Sequence, residues 1–195
     1  MQWVRILVLI LISALPIVLL FFWLNTHALV NFLLLLLAGI CSLILAALIQ
    51  QAIPAYNPLF TVFVRGAFVE ELGRLILLLL FLQLKNINTP GMGMITGFGF
   101  AFAENIAYGI VDMQSAFLRV ITTFPLHGSC GSRVAASIQV WNGTPARAVL
   151  WFVSAVTIHG TYNITVINEY FPWFLPVLIA FFAFASSLYS IHRER

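Results

Sequence analysis

The 195-residue chain is 62% hydrophobic and only 8% charged, and its mean hydropathy of +1.05 excludes a soluble domain with a wetted surface and marks an integral membrane protein. Its net charge of +3 comes from so few ionisable groups, with no run of basic residues, that nucleic acid is excluded as a partner. Cys41 and Cys130 lie in apolar segments without paired spacing and read as small buried residues, not as a disulfide framework or a cysteine zinc site.

A helix needs about 20 apolar residues to cross a bilayer. That length, read against the Pro, Gly, Asn and charge breaks, predicts spans near 3–24, 28–50, 59–84, 91–112, 114–140, 147–168 and 171–191. The first begins with a charge and an apolar run like a signal peptide, but the run is long and lacks a small-x-small cleavage site, so it reads as a retained span. The second is almost purely apolar. The third, "FVEELGRLILLLLFLQL", carries Glu70, Glu71 and Arg74 at its polar head. The fourth opens with the glycines of "GMGMITGFG", read as close-packing positions, and continues to Glu104 and Asn105 in "GFGFAFAENIAYG". His127 follows in the fifth, within "FPLHGSCGS", and His159 with Asn163 in the sixth, within "TIHGTYN". The seventh is again apolar. The breaks are short, so the expectation is one all-α domain over 1–195, a polytopic transmembrane helical bundle of about seven spans. Spans 1, 2 and 7 should face lipid, and spans 3–6, over about 59–168, should surround something polar.

Three of the six acidic residues fall inside spans, where a charge at mid-bilayer costs roughly 2.5–3.5 kcal/mol on the insertion scale. Arg74 stands four residues after Glu70 and three after Glu71 and can pair with one of them, but not neutralise both. Measured from one common membrane face at about 1.5 Å per residue, Glu70, Glu104, His127 and His159 fall in a single layer about 12–20 Å deep. The i to i+4 spacing of His159 and Asn163 puts both on one helix face. Such a layer is suited to hydrolysis. A glutamate can serve as general base toward water while an imidazole handles protons; alternatively, carboxylates and imidazoles can ligate a divalent metal such as Zn²⁺. Neither HExxH nor a paired cysteine motif is present to choose between them.

Two other readings use the same residues. "HGSCGS" offers Ser129 and Cys130 as nucleophiles with His159 as base, a rhomboid-type arrangement that leaves the three glutamates unexplained. A channel or proton-coupled transporter would use the Glu/His layer as an ion path; the absence of an inverted repeat argues against it.

The ordered set "EELGR" at 70–74, "FAFAEN" at 100–105, His127 with Gly131, and "HGTYN" at 159–163 resembles the motifs of the PrsW family of intramembrane proteases. That family is itself similar to the CAAX prenyl endopeptidase and bacteriocin-processing superfamily. The resemblance runs from about 60 to 165. It implies a polytopic protease that cuts membrane-anchored proteins within the lipid bilayer, the founding type acting on an anti-sigma factor. Carried over by position, it implies Glu70 as the water-activating base, with Glu71 assisting it or pairing with Arg74. Glu104, His127 and His159 would complete the site and hold Zn²⁺ if a metal is used, and Asn163 would bond the oxyanion or orient His159. The chain departs from the pattern at Arg74, where Lys is expected, and at Asn163, where Asp can stand and would add a charged ligand.

Arg5, Arg65 and Arg119 fall on one side of the predicted bundle and Lys85, Arg133, Arg147, Arg193 and Arg195 toward the other. The positive-inside rule then favours an external N-terminus and a cytoplasmic C-terminus in a bacterial plasma membrane.

Overall fold

Backbone N–H and C=O groups that enter a bilayer must be satisfied within their own segment, which leaves apolar runs of this length one option, the helix. The computed structural model describes residues 2–24, 29–81, 89–111 and 113–193. The helices are α1 (Gln2–Leu24), α2 (Leu29–Ala52), a single turn α3 (Pro58–Phe60), α4 (Val69–Phe81), α5 (Thr89–Val111), α6 (Met113–Val140), α7 (Pro145–Ile167) and α8 (Leu175–Arg193). A π-helical stretch, Thr61–Phe68, joins α3 to α4, so that α3, this stretch and α4 form one rod and the described residues make seven rods without a strand. Every predicted span coincides with a rod to within a few residues. The "NTHA" break, Lys85 with most of "KNINTPG", Asp112 and Arg195 lie outside the described residues.

Four helices, Trp3–Leu24, Leu29–Ala52, Pro145–Ile167 and Leu175–His192, are long and apolar enough to cross a membrane by length and composition. The expected count of about seven therefore has direct support for four. The other three rods carry Glu70, Glu71, Arg74, Glu104, Arg119, His127 and Arg133, which lower the hydropathy on which such a count depends.

The third rod starts cleanly. Asn57 is extended and its Oδ1 accepts a hydrogen bond from the Phe60 N–H at 2.8 Å, with Pro58 at the first helical position. The π stretch that follows has no sequence signature. It holds Arg65, whose Nε donates to the Gln50 and Ile53 carbonyls, each at 2.9 Å. These carbonyls belong to the C-terminal end of α2, where helix carbonyls lack intrahelical partners. Arg65 thereby ties the end of α2 to the start of the rod that carries Glu70.

α5 is the central helix, packed along α6 and α2 and touching α1. Glycine permits this. A Cβ at Gly97 would overlap the His127 carbonyl, one at Gly93 the Gly131 carbonyl, and one at Gly99 the Leu36 carbonyl. Helices that lack a hydrophobic driving force between them gain from such close backbone approach. Asn105 adds a polar link: its Nδ2 donates to Thr123 Oγ1 of α6 at 2.9 Å. α1 and α8 turn large apolar residues outward, among them Leu11, Leu19, Phe22 and Phe182, as lipid-facing helices should. α2 differs from the expectation of a purely lipid-facing span. It buries Leu35, Ala38, Gly39, Ser42 and Ala46 against its neighbours, because Gly39 lets it reach the α5 backbone at Thr96.

Replacing Gly97 by Ala should force α5 away from α6 and lower stability by ~1–3 kcal/mol. Gly143→Ala, where a Cβ meets nothing within 4 Å, should change it by less than ~0.5 kcal/mol. Thermal unfolding of the two variants in detergent checks this, and equal melting would show that the close approach is not required.

Candidate active site

An adjacent Glu–Glu pair on a helix points its two side chains in different directions, and the fold uses both. Glu71 is fully buried and forms an ion pair with Arg74 Nη1, three residues on, which is buried as well. The other Glu71 oxygen, Oε1, accepts from His159 Nδ1 at 2.8 Å. Arg74 in turn places Nη2 3.3 Å from His127 Nδ1, and its guanidinium lies over the Phe100 ring, 4.7 Å from the centroid. One buried ion pair thus holds an imidazole at each end.

The partners assign the tautomers. Guanidinium can only donate, so His127 Nδ1 is the acceptor and its Nε2–H donates to Glu104 Oε2 at 3.0 Å. His159 is the reverse: Nδ1–H donates to the Glu71 carboxylate, and Nε2 presents a lone pair. That lone pair faces Glu70 Oε2 at 3.4 Å, an oxygen that is buried and has no hydrogen-bond partner. Two acceptors facing one another require a positive species between them, a proton on one of them or a cation.

Glu70 is held from its other side by Gln50 of α2, whose Nε2 donates to Oε1 at 3.2 Å. Glu104 is held by Arg119, with Nη2 at 2.9 Å from Oε2, and the Arg119 guanidinium sits over the Tyr108 ring, 3.8 Å from its centroid. The His127 and His159 rings meet edge to face with centroids 4.9 Å apart. The side chains of Glu70 and Glu104 are each 14% exposed, whereas Glu71 is at 0%.

The structure therefore brings Glu70, Glu71, Arg74, Glu104, His127 and His159 into one cluster from α4, α5, α6 and α7. Asn163 stands one turn beyond His159, half-buried, and makes no side-chain hydrogen bond among the described residues. Ser129 donates to its own helix at the Leu126 carbonyl, 2.8 Å away, and Cys130 Sγ points to the Ala155 carbonyl. Neither touches His159, so the serine or cysteine dyad has no geometric basis here. Gln50 and Arg119 were not read as site residues. Arg119 carried a usable signal, since an arginine inside an apolar span needs a carboxylate; Gln50 carried none.

The donor set fits a metal. One ligand atom each from Glu70, His127 and His159 lies within 4.8 Å of the others, Glu70 Oε2 is an orphaned buried acceptor, and Glu71 backs His159 Nδ1 as a carboxylate commonly backs a metal-bound histidine. The set read from the sequence named Glu104 with the two histidines; in the structure Glu104 bonds His127 and Arg119, and Glu70 occupies the third corner.

A bundle of helices, four of them long and apolar enough to cross a membrane, that encloses a cluster of carboxylates and imidazoles defines a helical membrane protein with a buried polar centre. The family model of the PrsW family intramembrane metalloproteases matches residues 11–187, and the chain belongs to that family. It is accordingly an intramembrane protease. No curated protein and no solved structure matches the chain.

Glu71→Gln leaves the Arg74 charge buried without its counter-charge and should destabilise the fold by ~3–5 kcal/mol. Adding Arg74→Met to that variant should restore much of the loss. Chemical denaturation in mild detergent, comparing the single and double variants, checks the sign. A double variant less stable than the single one would contradict the pairing.

Proposed function

We propose that the protein is an endopeptidase that hydrolyses a peptide bond of a membrane-anchored protein, with Glu70 as the base that activates water. The observation that carries this reading is the facing pair Glu70 Oε2 and His159 Nε2, two buried acceptors with His127 alongside. A water seated beside the pair, within hydrogen-bond reach of Glu70 Oε2, would donate to Glu70 as its oxygen attacks the scissile carbonyl. The C–N bond then breaks, the acyl product takes the hydroxyl, and the proton passes from Glu70 to the leaving amine. His127 Nε2–H, now directed at Glu104, is the donor available to a developing oxyanion, and Asn163 is the second candidate for that task. Glu71 and Arg74 act through the histidines by fixing their tautomers.

As the alternative to that tautomer of His127, Glu70, His127 and His159 would hold the metal of a metalloprotease, His127 then offering a ring lone pair in place of its Nε2–H; the metal when bound would supply a water of lowered pKa and polarise the carbonyl. Zn²⁺ is the ion best matched to two imidazoles and a carboxylate. Of the three glutamates, Glu71 and Glu104 are already neutralised by cations, Arg74 and Arg119, and this favours Glu70 as ligand or base.

All seven rods are read as spanning, in a bacterial plasma membrane with the N-terminus external and the C-terminus cytoplasmic. The site then lies toward the external half, which suits site-1-type cleavage of an anti-sigma-factor-like substrate near its external juxtamembrane segment.

Glu70→Gln and His159→Ala should each reduce cleavage of single-span, juxtamembrane-tagged reporters in liposomes by roughly 10²-fold or more. A chelator should do the same to the wild type, with recovery on adding Zn²⁺. Wild type that cuts no reporter in a broad panel, yet passes ions in a Glu70-dependent way, would replace the protease by a conduction path.

A further inference from the structure

At the opposite end of the bundle from the loop that joins α2 to α3, a second polar cavity of about 590 Å³ opens between the start of α5, the C-terminal third of α6, the start of α7 and the end of α8. Its size falls within the range of small-molecule sites. Arg133 projects from α6 and is half-buried. Its Nη1 donates to the Ser129 carbonyl at 3.1 Å and to Ser187 Oγ at 2.7 Å, and its Nη2 to Ser186 Oγ at 2.6 Å. Every one of these partners is neutral. Arg147, from the first turn of α7, lines the same cavity and is exposed.

Neither arginine pairs with a carboxylate among the described residues. Glu70, Glu71 and Glu104 are committed to the active-site cluster, and Glu169 follows the far end of α7. Half-buried Arg133 with only neutral partners, and exposed Arg147 beside it, have no counter-charge among the described residues, which suits an external anion. The rest of the wall identifies its kind. Trp151 and the largely exposed Tyr189 stand at the rim, the residues that favour the headgroup level of a membrane. A smaller cavity shares Arg147 and Trp151 and continues past Leu150, which is exposed on the outer face of α7. A charged head at the arginines can therefore extend an apolar tail along a lipid-facing helix.

We infer that this cavity binds the phosphodiester headgroup of an anionic glycerophospholipid, with Arg133 and Arg147 as the phosphate partners and Ser186, Ser187 and Ser190 as additional hydroxyl contacts. Basic pockets between membrane helices are where such headgroups bind. The lipid would clamp α6, α7 and α8 together. α6 and α7 carry His127 and His159, so the site sits on the two helices that must keep their register. The inference concerns lipid occupancy and stands independently of the reaction assigned to the cluster.

The test is native mass spectrometry of the delipidated full-length protein titrated with phosphatidylglycerol, with phosphatidylcholine, and with inorganic phosphate as competitor. Wild type should retain one phosphatidylglycerol at least tenfold more tightly than phosphatidylcholine, and millimolar phosphate should not displace it. Arg147→Gln, an exposed position whose folding is safe, should remove that preference. Arg133→Gln should do the same, and Arg5→Gln at the other end should leave it intact. Equal retention of the two lipids, displacement by phosphate, or an unchanged preference in Arg147→Gln would each overturn the inference.

Discussion

The fold is organised around one ion pair, Glu71 with Arg74, in which both side chains are completely buried. Two charges at this depth are tolerated because they neutralise one another within a single helix turn and because most of their remaining polar atoms are used, Arg74 Nε being the exception. Glu71 takes the His159 N–H, and Arg74 reaches His127 and the face of Phe100. A buried pair of this kind stabilises little by itself, since the desolvation of both ions offsets most of their attraction. Its effect is on specificity. By holding an imidazole at each end it forces the two histidines, on different helices, into opposite tautomers, so that one presents a lone pair and the other a proton. An apolar isostere could fill the volume but could not make that distinction.

Keeping those histidines in reach demands close helix packing, and the glycines of α5 supply it. The Gly97 position admits the His127 carbonyl itself, and Gly93 admits Gly131 one turn further along α6. Packing and chemistry are therefore set by the same contact: the α5–α6 approach that brings Glu104 within 3.0 Å of His127 is the one that glycine permits. The π-helical turns ahead of Glu70 serve a related end. They carry Arg65 to the end of α2 while the following α-helical turns aim Glu70 at Gln50 and the histidines. π-helical turns are often found at functional sites, and here the local change in register reconciles two fixed demands on one rod.

The bundle and the identities of the chemical residues were legible in the sequence because the bilayer makes polarity expensive. A glutamate or histidine inside an apolar run is conspicuous, and the short breaks fix how consecutive rods alternate. Partner choice was less legible. Spacing allowed Arg74 to pair with either Glu70 or Glu71, and only the packing of α7 against the rod selects Glu71, by bringing His159 to its other oxygen. Glu104 read as a natural companion of the two histidines because all three lie at one depth; depth does not reveal that Arg119 claims it. Asn163 read as a site residue from its i+4 relation to His159, a relation that fixes a shared face but not a contact. Gln50 could not have been found, since a glutamine at the end of an apolar helix is an ordinary interfacial residue until a glutamate from another helix meets it.

The three glutamates end with different environments, and the difference decides what each can do. Glu71 has no exposed surface and both oxygens are occupied, so no substrate or water can approach it. Glu104 has limited access but is bonded by Arg119 and His127 at the same oxygen, Oε2, which spends its negative charge on structure. Glu70 keeps the same limited access, is steadied by a neutral amide from Gln50, and leaves Oε2 without a hydrogen-bond partner among the described residues. A base that must accept a proton during the reaction needs a free lone pair and no resident cation. Among the three carboxylates only Glu70 meets both conditions, and it does so because its neighbour in the sequence has taken the only arginine within reach on the helix.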